Sequence, residues 1–389
     1  MKKHLLSTSA IALGVAAAAP AAAQEWDVSF GGFMSQHVAY ADLSGSALAA
    51  GGDYDGVDLH SSSEIIFTPS ITLDNGLTFG VNVQLETEQN ATGEIDESYM
   101  SISSDTLGQI LIGSENSAGY KSMVGAPGVT SMFINSPSIS TFIPFSLAYP
   151  GGFRQAGLSS FTEVAGNNDV QRLTYFTPSF NGLTVGVSYA PTGSVNVGNS
   201  FGVDKNAVLS DIFDIGVNYS QTFGTTSVTL AARYGTGDSQ FAAGSDPETW
   251  GVGFQIGFAD FTFGGSYTEN DNGAPGGVSG NVAAVQPTPG NVGVAGTTVD
   301  YGSDSSGYSI GMTYDIAGPW AVEALAYFGE VEQGANDAEY EAYRIGASRD
   351  LGPGVDWDIY VVQLDADSGG ATPTDVSGTV IGTGINLSF

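Results

Sequence analysis

The sequence predicts an all-β fold, an antiparallel barrel of about sixteen strands closed on itself, and three observations predict it. Apolar residues alternate with small or polar ones at a period of two along almost the whole chain. The connections between these runs alternate between tight turns and longer loops. One connection, residues 114–168, has more than fifty residues and no sustained period of two or 3.6. A packed domain seldom holds such a segment, whereas a hollow one can fold it inward.

Residues 1–23 read as a secretory leader. Lys2 and Lys3 form a basic start, Leu5, Leu6 and Ile11–Ala19 a short apolar run, and Ala21-Ala22-Ala23 a small-residue cleavage site. The expected product begins at Gln24 and forms one unit, 24–389. The alternative is a membrane anchor, which the short run ending in small residues disfavours, and no later stretch is a transmembrane-helix candidate.

After Trp26 the strand pattern takes over. Leu77, Phe79, Val81, Val83 and Leu85 alternate with Thr78, Gly80, Asn82, Gln84 and Glu86. Leu183 to Tyr189, Phe213 to Tyr219 and Trp250 to Phe258 repeat the pattern, and Val380 to Phe389 closes it. Each such strand has one apolar face and one polar or small face. Tight turns fall at Asp74-Asn75-Gly76, Ser104-Asp105-Thr106, 178–182, Gly224-Thr225, Ala259-Asp260, Ala317-Gly318-Pro319 and 350–354. Longer loops fall between them, at about 42–60, 90–93, 114–168, 192–209, 237–246, 270–304, 332–337 and 365–376.

Short turns at one end and long loops at the other are the mark of a transmembrane barrel in a bacterial outer membrane, with apolar residues facing lipid. Strands of about ten residues suit that membrane. An unpaired sheet edge in hydrocarbon costs several kcal/mol per group, so the first strand must pair with the last. About sixteen strands leave an aqueous channel, where eight would be filled by side chains. Tyr40, Phe67, Tyr189, Tyr234, Trp250, Phe258, Trp320, Phe328 and Trp357 lie near strand ends, where aromatic girdles form.

Composition narrows the function. The chain carries 41 acidic and nine basic residues, a formal charge of −32, which disfavours nucleic-acid binding. The 21 Phe and 17 Tyr argue against disorder. With no cysteine there is no disulfide and no thiolate metal site. His37 and His60 have no catalytic or zinc motif around them, so no enzyme is expected.

The chain resembles the general diffusion porins of Gram-negative outer membranes, in particular their acidic alphaproteobacterial branch. The residues that carry the resemblance are the Ala-Ala-Ala-Gln leader junction, the hairpin Ile71–Gly80, the run Gln171–Pro178 into Phe180–Gly186, and the closing Gly384–Phe389. The resemblance implies a homotrimer of sixteen-stranded barrels whose third external loop, here 114–168, constricts the pore. It implies that Phe389 belongs to the signal read by the barrel-assembly machinery, and that lipid and lipopolysaccharide surround the barrel.

Strand parity points Arg172, Arg233 and Arg344 inward, opposite Leu173, Tyr234 and Tyr343. Opposed to acids on the loop, they would set a transverse field across the constriction, as in the family. The loop supplies Glu115 and Glu163, with Asp169 at its exit, and also Lys121 and Arg154, which blur the separation of signs. The alternative is that these charges are merely solvated. The acid excess predicts a preference for cations, set by acids near the lumen, because salt screens the rest. Passive diffusion of small hydrophilic solutes, with no required cofactor, is the function expected.

Three further readings stay open. Asp53, Asp55 and Asp58 in the first long loop offer oxygens for Ca²⁺, or form a solvated acidic loop. Phe133, Phe142, Phe145, Tyr149, Phe153 and Phe161 would begin an aromatic track in a solute-specific channel. A structural or adhesive barrel would need a folded external loop, for which 270–304 is the candidate.

Overall fold

The computed structural model describes residues 25–87, 95–132, 138–149, 163–167, 169–193, 209–238, 246–272 and 303–389. The leader and most of 270–304 lie outside these residues. The strands are β1 Phe30–Ser44, β2 Gly56–Phe67, β3 Ser70–Thr72, β4 Thr78–Glu86, β5 Ile95–Ser104 and β6 Gly108–Glu115. After the long loop come β7 Val170–Phe176, β8 Leu183–Thr192, β9 Ser210–Phe223, β10 Thr226–Asp238, β11 Glu248–Phe258 and β12 Phe261–Asp271. The last five are β13 Ser305–Asp315, β14 Trp320–Val331, β15 Ala338–Gly352, β16 Val355–Asp367 and β17 Asp375–Ser388.

All seventeen join one antiparallel sheet that closes where β1 pairs β17, from Phe33 opposite Ser388 to Ser44 opposite Ser377. The barrel itself has sixteen staves, because β2 and β3 share one. Both pair with β4, and Thr68-Pro69 interrupts them. Pro69 has no N–H for the ladder. Its carbonyl still accepts from Val81 N, and Asp27 and Ser70 exchange backbone hydrogen bonds across the gap. Trp26 therefore lies outside β1, four residues before the first strand begins.

Burial follows the alternation. On β1, Ser35, His37, Ala39 and Ala41 are buried, while Met34, Val38 and Tyr40 are exposed. Exposed large apolar residues cover the outer face of most long strands, as a surface that meets lipid requires. Two aromatic belts flank it. Trp250 and Tyr267, Tyr308 and Phe328, and Phe328 and Tyr343 pair near the loop end, and Phe261 and Tyr314, and Trp320 and Trp357, near the turn end.

Pairing carries β1 and β2 further than the sequence pattern suggests. His37 faces His60, and Ala39 faces Asp58. The first external loop thus shrinks to 45–55, and both His60 and Asp58 belong to a strand.

Candidate functional site

The described part of 114–168 lies inside the barrel and is tied to the wall strand by strand. Helix α1, Ala118–Ser122, starts with Ser117 as its N-cap, the hydroxyl accepting from Tyr120 N. Ala118 N donates to Ser188 Oγ on β8 (3.1 Å), and Asn218 Nδ2 on β9 donates to Ser122 O (2.9 Å). Gln255 on β11 donates to Gly125 O (2.9 Å), and Ala126 N donates to Ser309 Oγ on β13 (3.1 Å). Glu323 on β14 accepts from Val129 N and from the Thr130 hydroxyl (2.5 and 2.6 Å). Arg344 on β15 donates to Met132 O, and Asp358 on β16 accepts from Ser131 N (2.8 Å). Ser131 Oγ lies 3.2 Å from His37 Nε2 on β1, and Thr141 Oγ1, in helix α2 (Ser138–Phe142), lies 2.8 Å from His60 Nδ1 on β2.

Wall glycines make this close approach feasible. A Cβ at Gly216 would strike Ala118 O and Ser122, one at Gly253 would strike Val124 O, and one at Gly346 would strike Thr130 and Glu323.

Two ionic anchors hold the loop's first half. Arg233 Nη2 lies 2.7 Å from Asp214 Oδ2 and 3.3 Å from Glu163 Oε2, with all three side chains at most 1% exposed. Glu163 also accepts from Ser117 N (2.8 Å). Lys121 Nζ lies 3.2 Å from Glu115 and 3.9 Å from Glu97. Burial alone would lower the Lys121 ammonium, but Glu97 and Glu115 outweigh it and hold the group above its ordinary value. Further round, Arg344 pairs with Glu323 at 2.7 Å.

The second half is apolar. Ile139, Phe142, Ile143, Phe145 and Tyr149 are buried against Tyr327, Tyr340, Val362, Leu364 and Val380 on the wall. Each fully buried side chain of this size is worth about 1.5–3 kcal/mol over its exposed form.

These positions revise the sequence-based expectations. Arg172, Arg233 and Arg344 do point inward, yet they lie under the loop and not on open lumen. Arg172 donates to Asn167 O (2.8 Å). The transverse field expected of them therefore has no free cations on the described wall. The reason is desolvation: once the loop covers them, each guanidinium needs a partner at contact distance. Phe142, Phe145 and Tyr149 face the wall instead of forming a track. Phe133, Phe153, Arg154 and Phe161 lie outside the described residues. Asp53, Asp55 and Asp58 do not converge. Asp53 accepts from Asp55 N, Asp55 from Leu43 N and Asp58 from Leu59 N. Among the described residues no three acids or histidines are grouped to hold a metal.

On the lumen face Glu64 on β2 lies opposite Glu86 on β4, and Glu97 on β5 is buried close by. Glu97 accepts from Gln84 and from Asn116 (2.8 Å each). Lys121 is the one described cation among these acids.

Asp169 stands where the loop rejoins the wall, with a positive φ of 48° that Asp tolerates better than most residues. Burial first, then Asp96, Glu97 and Glu163, push its carboxyl up to about 8. A carboxyl raised in the docked loop but ordinary in a released one favours docking fully below about pH 4, and that contribution is lost as pH rises to about 8. Current noise from loop motion is expected to grow between pH 5 and pH 8.5, about one unit above the lower limit and just past the upper one. Single-channel recordings of Asp169→Asn should lose this trend; an unchanged trend would assign it to another group.

The family model described as Gram-negative porin matches residues 7–369. No curated protein sequence matches. Among solved structures, the anion-selective porin from Comamonas acidovorans superposes with a TM-score of 0.58 at 16% identity, covering 94% of this chain and 100% of that one. The outer membrane channel DcaP of Acinetobacter baumannii gives 0.58 at 15% identity, covering 94% and 97%. OmpT, an outer membrane protein of Vibrio cholerae, gives 0.58 at 13% identity, covering 94% and 98%. At these identities the likeness is one of fold.

Proposed function

The chain belongs to the Gram-negative porin family and resides in the outer membrane, and from that premise we propose that it forms a water-filled channel for passive diffusion of small hydrophilic solutes and ions, with a preference for cations. One observation carries the preference. Among the described residues the inward cations are all buried and held by the loop, while Glu64 and Glu86 face the lumen side by side on β2 and β4. Fixed acids beside the path raise the local concentration of cations and repel anions. An anion-selective relative of the same fold is no obstacle, since selectivity resides in side chains that share 16% identity.

A salt gradient across a planar bilayer tests this. At pH 8 the reversal potential is expected to take the cation sign, and the double variant Glu64→Gln/Glu86→Gln to shift it toward zero. A reversal potential of the anion sign in the wild type would overturn the preference, and absence of conductance from folded protein would overturn the channel.

The rest of this reading follows the family. The leader 1–23 is removed on export, the barrel assembles as a homotrimer, and Phe389 serves the assembly machinery. Phe389 is 73% exposed, and its backbone bonds to Gly32 close the barrel seam. That geometry leaves the ring accessible for recognition. Lipid and lipopolysaccharide are the surroundings, and no cofactor takes part.

A further inference from the structure

Five basic side chains are described, and four of them lie inside the barrel. The fifth, Arg349, has the parity of Tyr343 and Ile345 and so faces outward. It lies near the end of β15, directly opposite Trp320 on β14 and Trp357 on β16. Its guanidinium carbon is 5.6 Å from the centroid of the Trp320 ring, and the two indole rings are 5.5 Å apart. Trp357 Nε1 donates to Thr383 Oγ1 (2.7 Å), which fixes that ring. Among the described residues no carboxylate joins the cluster. Arg349 Nε is buried without a hydrogen-bond partner, and no described acid forms an ion pair with this residue.

The cluster adjoins the short turns 316–319 and 353–354, so it stands at the periplasmic end of the barrel, at the depth of lipid headgroups. At mid-membrane an outward Arg would cost about 2–4 kcal/mol, falling to about 0–1 at the interface. An aromatic face holds the planar guanidinium, and its two terminal Nη groups form a fork that matches two oxygens of a phosphate. Elsewhere the chain is strongly acidic and repels anions, so this is the one described outward position with charge complementary to an anionic headgroup.

We propose that Arg349, Trp320 and Trp357 form a binding site for the phosphodiester of an anionic phospholipid in the periplasmic leaflet. The site rests on the membrane placement of the barrel and is independent of its ion preference.

Quenching of tryptophan fluorescence by brominated lipids tests it on the intact protein. In vesicles of phosphatidylcholine with a minor fraction of brominated phosphatidylglycerol, quenching is expected to exceed that by brominated phosphatidylcholine at the same fraction. Arg349→Gln should abolish the difference, and Arg349→Lys should keep part of it. Native mass spectrometry should show about tenfold less retained phosphatidylglycerol in Arg349→Gln than in the wild type. Wild-type conductance in both variants shows that the barrel is intact. Equal quenching by the two lipids in the wild type would overturn the proposal, whatever the variants do. Displacement of the bound lipid by millimolar inorganic phosphate would also overturn it, since the site would then take a free anion.

Discussion

Replacing Arg233 by methionine is expected to release the first half of the inserted loop from the wall. The guanidinium is the only described cation within contact distance of Asp214 and Glu163, and both carboxylates are 1% exposed. Removing one member of a buried ionic group costs about 3–5 kcal/mol, because charges already taken out of water lose their partner. Glu163 also accepts from Ser117 N, so its displacement removes a contact that orients the start of α1. The cheapest escape is for the loop to lift and let water reach the acids. In single-channel records this should appear as larger and noisier conductance, and in detergent as faster proteolysis within 116–132. The triple variant Arg233→Met/Asp214→Asn/Glu163→Gln should recover most of the quiet state, because neutral isosteres escape the desolvation penalty. If Arg233→Met is as quiet as the wild type, the anchor does not hold the loop.

Strand parity reaches the inward face of Arg172, Arg233 and Arg344, but not their partners. Asp214 alternates between Phe213 and Ile215 like any polar-face residue, and it lies nineteen residues from Arg233. Their pairing depends on the β9–β10 register, which sets Gly216 opposite Arg233, and on a loop that arrives from far along the chain. A usable signal was nonetheless present. Gly216, Gly253 and Gly346 occupy inward positions within strands, where a missing side chain marks close approach of another backbone. Read in sequence order they trace part of the path the loop takes along the wall. The girdle aromatics are legible for a simpler reason, since lipid selects them locally and no distant partner is needed. Asp53 and Asp58 turn to backbone N–H groups within two residues and Asp55 to Leu43 N on β1, so the three carboxylates point to separate partners and do not converge.

The apolar half of the loop leads to the second large effect, expected for Phe145→Ala. Phe145 is 1% exposed, and its ring stands edge-on to Tyr340 at 5.4 Å, with Tyr149 at the same distance from Tyr340. The wall beneath is unusual for a lumen. On β16, Ile359 and Val361 face out while Tyr360, Val362 and Leu364 face in, so both faces are apolar. Such a strand meets apolar matter on each side, here lipid outside and the loop inside. The doubly apolar run is thus the sequence mark of where the loop lands, as the glycines mark its path. Truncating a buried Phe to Ala costs about 3–5 kcal/mol through lost transfer energy and the cavity left behind. A cavity bordering a water-filled lumen can flood, so the loss should fall on docking of 138–149 while the closed hydrogen-bonded wall persists. Conductance should rise with an unchanged heat-stable barrel, and Phe145→Leu should cost less because it refills most of the volume. A variant that loses the barrel itself would show that the loop is part of the wall's stability, and one with wild-type conductance would show that the ionic anchors alone hold it.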